Sequence, residues 1–600
     1  MRQFEQHYIK KNHSKAMPNR IIYFDTETEQ DSYGDEQLHR FKIGWSCYVE
    51  TRQQRDKDTE VWEYWDDPYA FCAYLQNKCK QKTTLTIIGH NIFYDLQVSR
   101  FFHYFTLWGW KLRFVYNKGL TYILVIHKDK AVLRALSTTN WFQTSLKNLG
   151  DMVGLQKLDV DFQESTPEEL SIYCKRDVEI VKLAVEKYMS FLVDNDMGKF
   201  AMSRAGQSYA AFRHRFMNTK ICVHQEQDIS DFERMAYYGG RVECFRIGKQ
   251  NKPPYVSVDV NSLYPFVMRT YQYPTRLVDY VKYPDMEMLT TALNNRAIVA
   301  EVILRTDEPA YPVRQNKKII YPIGTFKTYV CTQGLRYALD HGHLKDVLCA
   351  SYYEKDWIFQ DFVNYFYELR NHYKGLNNRE YEQFCKYILN SLYGKFGQKT
   401  TLEEIREDIT FDGYSREIIL DGDTGEREIV TKLFNTVVTQ YGEKTAKHAL
   451  VAIAAHVTEY GRFHLWKLMN EVGRERVLYC DTDSMTLRKC HLKYLKNSLS
   501  DTELGALKLE HTYNFLVLNA SKDYETDISI KRKGVPKSAE CLDDNTFRYT
   551  QWCKQETHLR RAIDDRYITK TVTKRLSRKY DKGIVNANGS VDPFVLNLID

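Results

Sequence analysis

Residues 255–265 read YVSVDVNSLYP and residues 478–485 read LYCDTDSM. The first stretch is a β-branched run that ends at Asp259; the second is an apolar approach to a tight turn bearing Asp481 and Asp483. Burying like charges at the ends of apolar strands is costly unless something positive binds there. A metal-loaded site removes that conflict. Two Mg²⁺ at Asp259 and Asp483 would draw a 3′-hydroxyl and a nucleotide α-phosphate together for in-line displacement. A lone D-T-D reads as an ordinary surface turn, so the neighbouring elements decide the matter.

Between these stretches lie two predicted helices, 357–374 and 379–395, joined by Gly-Leu-Asn-Asn at 375–378 as an antiparallel pair. ELRNHYKG places Arg370 and Lys374 at i, i+4. CKYILNSLYGKFG places Lys386, Asn390 and Tyr393 at i, i+4, i+7, each set on one helix face. A triphosphate needs several cations held in geometry, and facing helices supply them. Tyr393, beside Gly394, suits contact with a nascent base pair. Plain packing would not favour Lys386 in mid-stripe.

Toward the N-terminus, IIYFDTETE sets Asp25 and Glu27 at i, i+2 on a predicted strand at 21–26, where period two turns both to one face. HNIFYDL adds Asp95 with Asn91 close by, after a strand at 85–89. YCKRD adds Tyr173 and Asp177 at i, i+4. A single D-x-E is usually a pair of surface acids. Four such acids can cage two divalent cations on oxygen ligands, one activating water and the other stabilising a leaving 3′-oxygen. Tyr173 would orient the water.

Composition narrows the rest. The chain has 600 residues, enough for several domains. Hydrophobic residues form 43% and aromatic residues 14%, so sizeable cores are expected and disorder is not. No apolar run approaches a membrane span and residues 1–20 carry no signal-peptide pattern. These features predict a soluble intracellular protein without membrane contact, in the host cytoplasm if a phage encodes it. Residues 531–582 carry 15 basic and 7 acidic residues, while the chain as a whole is +7. The positive field is therefore concentrated there, suited to a polyanion. The 13 cysteines show no C-x-x-C spacing, which argues against a zinc ribbon. Further elements predicted are a helix at 179–194, strands over 398–440 with a hairpin at 421–425, a helix at 443–472 and a strand at 477–480.

Taken together, DTE, HNIFYD and YCKRD resemble the three exonuclease motifs of family B DNA polymerases, and DVNSLYP, KYILNSLYG and YCDTDS resemble their polymerase motifs A, B and C, in the right order. AYYGGRVE, with Tyr237, Gly239 and Gly240, resembles the Tyr-x-Gly-Gly motif of the protein-primed subgroup. SKDYE resembles the Lys-x-Tyr motif and KRKGVPK the thumb entrance. The resemblance implies that Asp25, Glu27, Asp95 and Asp177 are exonuclease metal ligands, with Tyr173 and Lys157 (in QKLDVDF) assisting hydrolysis. Thr28, His90, Asn91, Tyr94, Ser145 and Leu146 would hold the frayed 3′ strand. Asp259, Val260 and Asp483 would hold the polymerase metals, with Asp481 as the third acid. Tyr264 would exclude a ribose 2′-hydroxyl. Lys374, Lys386, Asn390, Tyr393 and Arg370 would form the nucleotide site. Lys522 and Tyr524 would contact the primer terminus, with Tyr237, Gly239 and Gly240 also on DNA. The implied cofactor is Mg²⁺, two per site, with Mn²⁺ able to substitute.

The resemblance implies a mixed α/β and α+β multidomain fold: an RNase H-like 3′–5′ exonuclease domain (1–195), then a right hand. Its parts would be palm (196–270 and 441–525), fingers (362–397) and thumb with the basic segment (526–600). Two terminal-protein-region insertions would occupy 271–361 and 398–440. The implied activity is DNA-templated DNA synthesis with proofreading on a linear viral or plasmid genome. Partners would be template-primer DNA, dNTPs, a separate terminal protein, and a single-stranded DNA-binding protein. Only about 20 residues precede the first motif, too few for a fused priming domain. The alternatives are a family B polymerase that uses a nucleic-acid primer, and a non-catalytic DNA-binding scaffold.

Overall fold

The computed structural model describes residues 4–51, 59–162, 164–407, 414–420, 422 and 425–597. Its N-terminal sheet is built around Arg20–Tyr33, which pairs parallel with Thr84–Gly89; that strand pairs parallel with Ala131–Ser137. Antiparallel strands Glu36–Glu50, Thr121–Lys128 and Lys111–Lys118 extend the two sides. Helices cover both faces, as a parallel core requires. Along Arg20–Tyr33, Ile22 and Phe24 pack on one side and Ile21 and Tyr23 on the other. Asp25 and Glu27 continue the second row, toward the helix Pro167–Asp194. That helix begins twelve residues before the predicted 179. Thr166 caps it reciprocally with Glu169, and Pro167 opens it.

A second sheet is wholly antiparallel, in the order Val242–Cys244, Val477–Asp481, Ser484–Arg488, Tyr255–Val260 and Leu507–Tyr513. Asp259 lies opposite Ser484, next to Asp483. The buried helix Val451–Val472 and the helix Leu263–Thr270 pack beneath it. The prediction began this long helix at 443. Instead, residues 443–445 belong to the strand Thr436–Thr445, where Glu443 pairs with Thr401 and Thr445 with Lys399.

The helix pair spans Gln360–Gly375 and Arg379–Leu389. The second helix stops six residues short of the predicted 395. Asn390 ends it, Ser391 Oγ donates to the Tyr387 carbonyl at 2.6 Å, and Tyr393–Lys395 forms a short 3₁₀ turn. Asn390 and Tyr393 therefore do not continue the Lys386 face as a regular helix. Two further sheets interrupt the chain: Tyr273–Lys282, Leu344–Asp356, Ala297–Thr306 and Ile323–Cys331 form one, and Lys399–Arg406, Thr436–Thr445, Arg427–Leu433 and Ser415–Leu420 the other. In the latter, Leu420 pairs with Arg427. Of the predicted hairpin tip 421–425, residues 421, 423 and 424 lie outside the described residues.

The segment expected as a thumb does not stand apart. Tyr567–Arg575 pairs with Glu36–Glu50 and with Thr546–Trp552, lengthening the N-terminal sheet. The chain then crosses the second sheet, where the Ile247 N–H donates to the Gly589 carbonyl at 2.7 Å and the Cys244 N–H to Tyr580 Oη at 3.0 Å. It ends as Val595–Asn597, parallel to Ile323–Cys331. Among the described residues no helix is long and apolar enough to cross a membrane.

Candidate active sites

Asp259 and Asp483 come together at the end of the antiparallel sheet. The Val260 N–H donates to the Asp483 carbonyl at 2.7 Å, and Thr482 takes φ +66°, which folds the turn back on the strand. Burial and then the Asp483 charge push the Asp259 carboxyl up to about 8. Burial, with Asp481 and Glu510 adding, lifts Asp483 to about 6. Acids that resist ionising until a cation arrives suit a divalent metal. Lys386 and Lys508 act on Asp259 in the opposite sense. Asp481 is turned to Lys522, whose Nζ donates to both its oxygens at 2.8 and 2.9 Å, and Tyr479 Oη donates to it at 3.2 Å. Tyr524 packs against Tyr479, ring centroids 5.7 Å apart.

Above this turn, the rings of Tyr264 and Tyr393 lie 4.7 Å apart. Gly461 leaves room for Tyr264; a Cβ there would sit 3.3 Å from its ring. Lys374, Lys386 and Asn390 are exposed on the helix pair. Arg370 instead pairs with Glu382 on the facing helix at 3.4 Å. The Tyr237–Gly240 loop joins these parts. Gly240 abuts Thr482, Tyr237 lies against Gly397, and Arg462 Nη1 donates to the Tyr238 and Gly239 carbonyls at 3.1 Å. Arg314 of the first insertion donates to the Tyr237 carbonyl at 2.6 Å.

The second cluster gathers Asp25, Glu27, Asp95 and Asp177. Thr26 Oγ1 donates to Asp95 Oδ1 at 2.7 Å, and Lys157 Nζ donates to Asp177 Oδ2. Lys157 also lies 4.0 Å from the centre of the Tyr173 ring. Asp95 Oδ2 and Asp177 Oδ1 are buried without a hydrogen-bond donor. Burial pushes Glu27 and Asp95 up to about 8, and burial with the Asp95 charge raises Asp25. Four carboxylates, one lysine and two orphaned oxygens fit divalent cations on oxygen ligands.

Around this cluster, Thr28 Oγ1 and Tyr94 Oη share a hydrogen bond of 2.7 Å. The Tyr94 ring meets those of Tyr567 and Trp552 from the C-terminal strands. His90 Nδ1 is 2.8 Å from Thr138 Oγ1, and the Asn91 N–H donates to Ser137 Oγ at 3.0 Å with φ +59°. Ser145 caps the helix Leu146–Val153, and Leu146 is buried. Those two therefore hold local structure as the chain stands.

Sequence reasoning missed two residues. Glu510 faces Asp259 and Asp483 from Leu507–Tyr513, where the register shifts between Ser257 and Val258. Cys174 lies beside Asp25 and Glu27. Its position one residue after Tyr173 on the same helix was the only available signal. A cavity of about 1960 Å³ also opens between the N-terminal sheet, the end of the helix pair and the second insertion. Arg113, Arg134, Arg204, Lys395, Arg416 and Arg427 in its walls outweigh Glu403, Glu443 and Glu556.

Residues 154–497 match the family described as DNA polymerase type B, organellar and viral. A probable DNA polymerase of Neurospora intermedia is 22% identical over 374 residues, 58% of this chain and 36% of the relative. The DNA-directed DNA polymerase of Enterobacteria phage PRD1 is 28% identical over 296 residues, 48% of this chain and 49% of that protein. The DNA polymerase of Bacillus phage Nf is 25% identical over 432 residues, covering 66% and 68%. The chain thus spans about a third to a half of the length of the first two. Phi29 DNA polymerase complexed with primer-template DNA and incoming nucleotide substrates superposes with a TM-score of 0.63 at 16% identity, covering 87% of this chain and 93% of that one. The fold is accordingly an RNase H-like exonuclease-type domain followed by a right-hand polymerase carrying two insertions. The family match covers more than half of the chain, and the chain belongs to the organellar and viral type B DNA polymerases.

Proposed function

We propose that the chain is a DNA-templated DNA polymerase with a proofreading 3′–5′ exonuclease, copying a linear viral or plasmid genome from a terminal protein primer. The observation that carries this reading is the meeting of Asp259 with Asp483 beneath the Tyr264–Tyr393 pair, with a second acid quartet in a separate domain. Magnesium, when bound, supplies Lewis-acid stabilisation of the attacking and leaving oxygens at each centre. At the first centre Asp259, Val260 and Asp483 hold it, while Lys386 and Lys374 offset triphosphate charge. Arg370 steadies the helix pair through Glu382. Tyr264 closes the space a ribose 2′-hydroxyl would need, and Tyr393 faces the nascent pair. Lys522 and Tyr524 border the path of the primer terminus. At the second centre Asp25, Glu27, Asp95 and Asp177 are the ligands; Lys157 orients Asp177 and Tyr173 orients water. Thr28, His90, Asn91 and Tyr94 line the approach of the frayed strand. The basic cavity suits a single-stranded template.

The test is a separation of activities in Mg²⁺. Asp483→Ala abolishes nucleotide addition and spares degradation of single strands; Asp25→Ala does the reverse. Equal loss of both activities in either folded variant sinks the two-centre reading. A blank in primer extension with DNA binding retained would favour a scaffold. Protein priming is supported by the Tyr237–Gly240 loop, which Arg314 of the first insertion grips beside the catalytic turn. Labelling of a co-expressed terminal protein by one radioactive dNTP tests it. No label on any protein would favour a nucleic-acid primer.

A further inference from the structure

We infer that the N-terminal acid cluster is also a site for thiophilic divalent cations such as Zn²⁺ or Cd²⁺, held by Cys174 Sγ with the carboxylates of Asp25 and Glu27. The inference rests on the proposed reading of that cluster as a cation site. Sγ and one oxygen from each acid all lie within 4.8 Å of one another. Sγ is 3.9 Å from Asp25 Oδ2 and 3.4 Å from the Asp25 carbonyl. In a tetrahedral zinc site with bonds of about 2.3 Å to sulfur and about 2.0–2.2 Å to oxygen, the sulfur–oxygen edge is about 3.5 Å. For the Asp25–Cys174 pair, closure by a few tenths of an ångström reaches that edge, and Glu27 lies within 4.8 Å of both.

A second observation points to a ligand at the same place. Asp95 and Asp177 are 2% and 3% exposed, and each has an oxygen without a donor. Both carboxylates act on Asp25 through space, so these orphaned oxygens border the three-ligand group. Among the described residues no such thiol-bearing group joins Asp259 and Asp483. Magnesium, a hard cation, takes the oxygens and leaves the sulfur aside; a softer cation takes both. When the metal–sulfur bond forms, the S–H bond breaks and its proton leaves to solvent. A soft cation so held occupies Asp25 and Glu27, and blocks the proposed hydrolysis while sparing nucleotide addition.

The experiment uses the full chain with Co²⁺ as the probe, read as thiolate-to-cobalt charge transfer in the near ultraviolet. The wild-type protein shows the band, and Cys174→Ser and Cys174→Ala lose it. The primer-extension rate of each preparation reports folding. In Mg²⁺, the Zn²⁺ concentration that half-inhibits single-strand degradation rises about tenfold or more in both variants. A band of equal intensity in the folded variants, or no band in the wild type, overturns the inference. If the wild type shows the band but degrades nothing in Mg²⁺, the cation site stands and the exonuclease reading fails.

Discussion

Gly240→Ala probes the link between the glycine loop and the catalytic turn. A Cβ at 240 would sit 2.6 Å from Thr482 Cγ2, 2.7 Å from Oγ1 and 2.9 Å from Cβ. Carbon contacts settle at about 3.5–4.0 Å, so the turn has to give by roughly 1 Å. It is poorly placed to do so, because the Thr482 N–H donates to the Arg241 carbonyl at 2.7 Å and the Val260 N–H to the Asp483 carbonyl at 2.7 Å. Overpacking of this kind costs about 1–3 kcal/mol of stability. A displacement of about 1 Å at reacting groups costs on the order of 10²-fold in rate. We expect Gly240→Ala to slow single-nucleotide primer extension about 10²-fold at saturating dNTP, with single-strand degradation unchanged. Thr482→Gly removes the obstructing atoms and accepts φ +66° without strain. Adding it to Gly240→Ala should restore most of the rate. Extension within a few-fold of wild type in Gly240→Ala, or no recovery in the double variant, would refute the reasoning.

Three further outcomes are expected. Folding raises Glu27, Asp95 and Asp259 to about 8 through burial, so the metal-free folded state binds more protons than the unfolded chain between about pH 4 and 8. In chelator the melting temperature should therefore fall as pH rises across that window. Added Mg²⁺ should flatten the slope, and a slope indifferent to Mg²⁺ would contradict this account. Lys522→Ala leaves Asp481 uncompensated beside Asp483 and should lower primer extension about tenfold while Lys522→Arg retains more, measured against unchanged single-strand degradation. Excising residues 399–445 takes Arg416 and Arg427 out of the basic cavity and should weaken extension on single-stranded template, read as a raised template KM. The Ala446 N–H already donates to the Gln398 carbonyl at 3.0 Å, so the cut ends meet; an unchanged template KM in a folded variant would count against it.

The elements whose period and caps are local were readable in the sequence. Tyr255–Val260 follows from its β-branched run, and Asp25 and Glu27 share a face because a strand alternates. Helix ends were less legible. The run to 395 looked continuous, but Asn390 and Ser391 satisfy backbone groups locally and stop it at Leu389. The 443–450 stretch reads as helix because the strand pairing of 443–445 with residues near 399 leaves no trace in a single periodicity. Glu510 stayed hidden because an exposed acid on a strand is ordinary; only the pairing of Asp259 with Lys508, two residues before it, brings it near. The pairing of His39 with Tyr567 joins residues more than 500 positions apart, and nothing in either segment announces the other.

That last pairing has a consequence for biogenesis. The Glu36–Glu50 strand emerges from the ribosome long before Tyr567–Arg575 does. At about 5–20 residues per second the interval is roughly half a minute to two minutes. Throughout it the nascent sheet presents a bare hydrogen-bonding rim at residues 36–39, and Tyr94 lacks its neighbours Trp552 and Tyr567. The N-terminal domain thus completes its sheet only after the rest of the chain has been translated, and an abortive chain is released with a sticky margin.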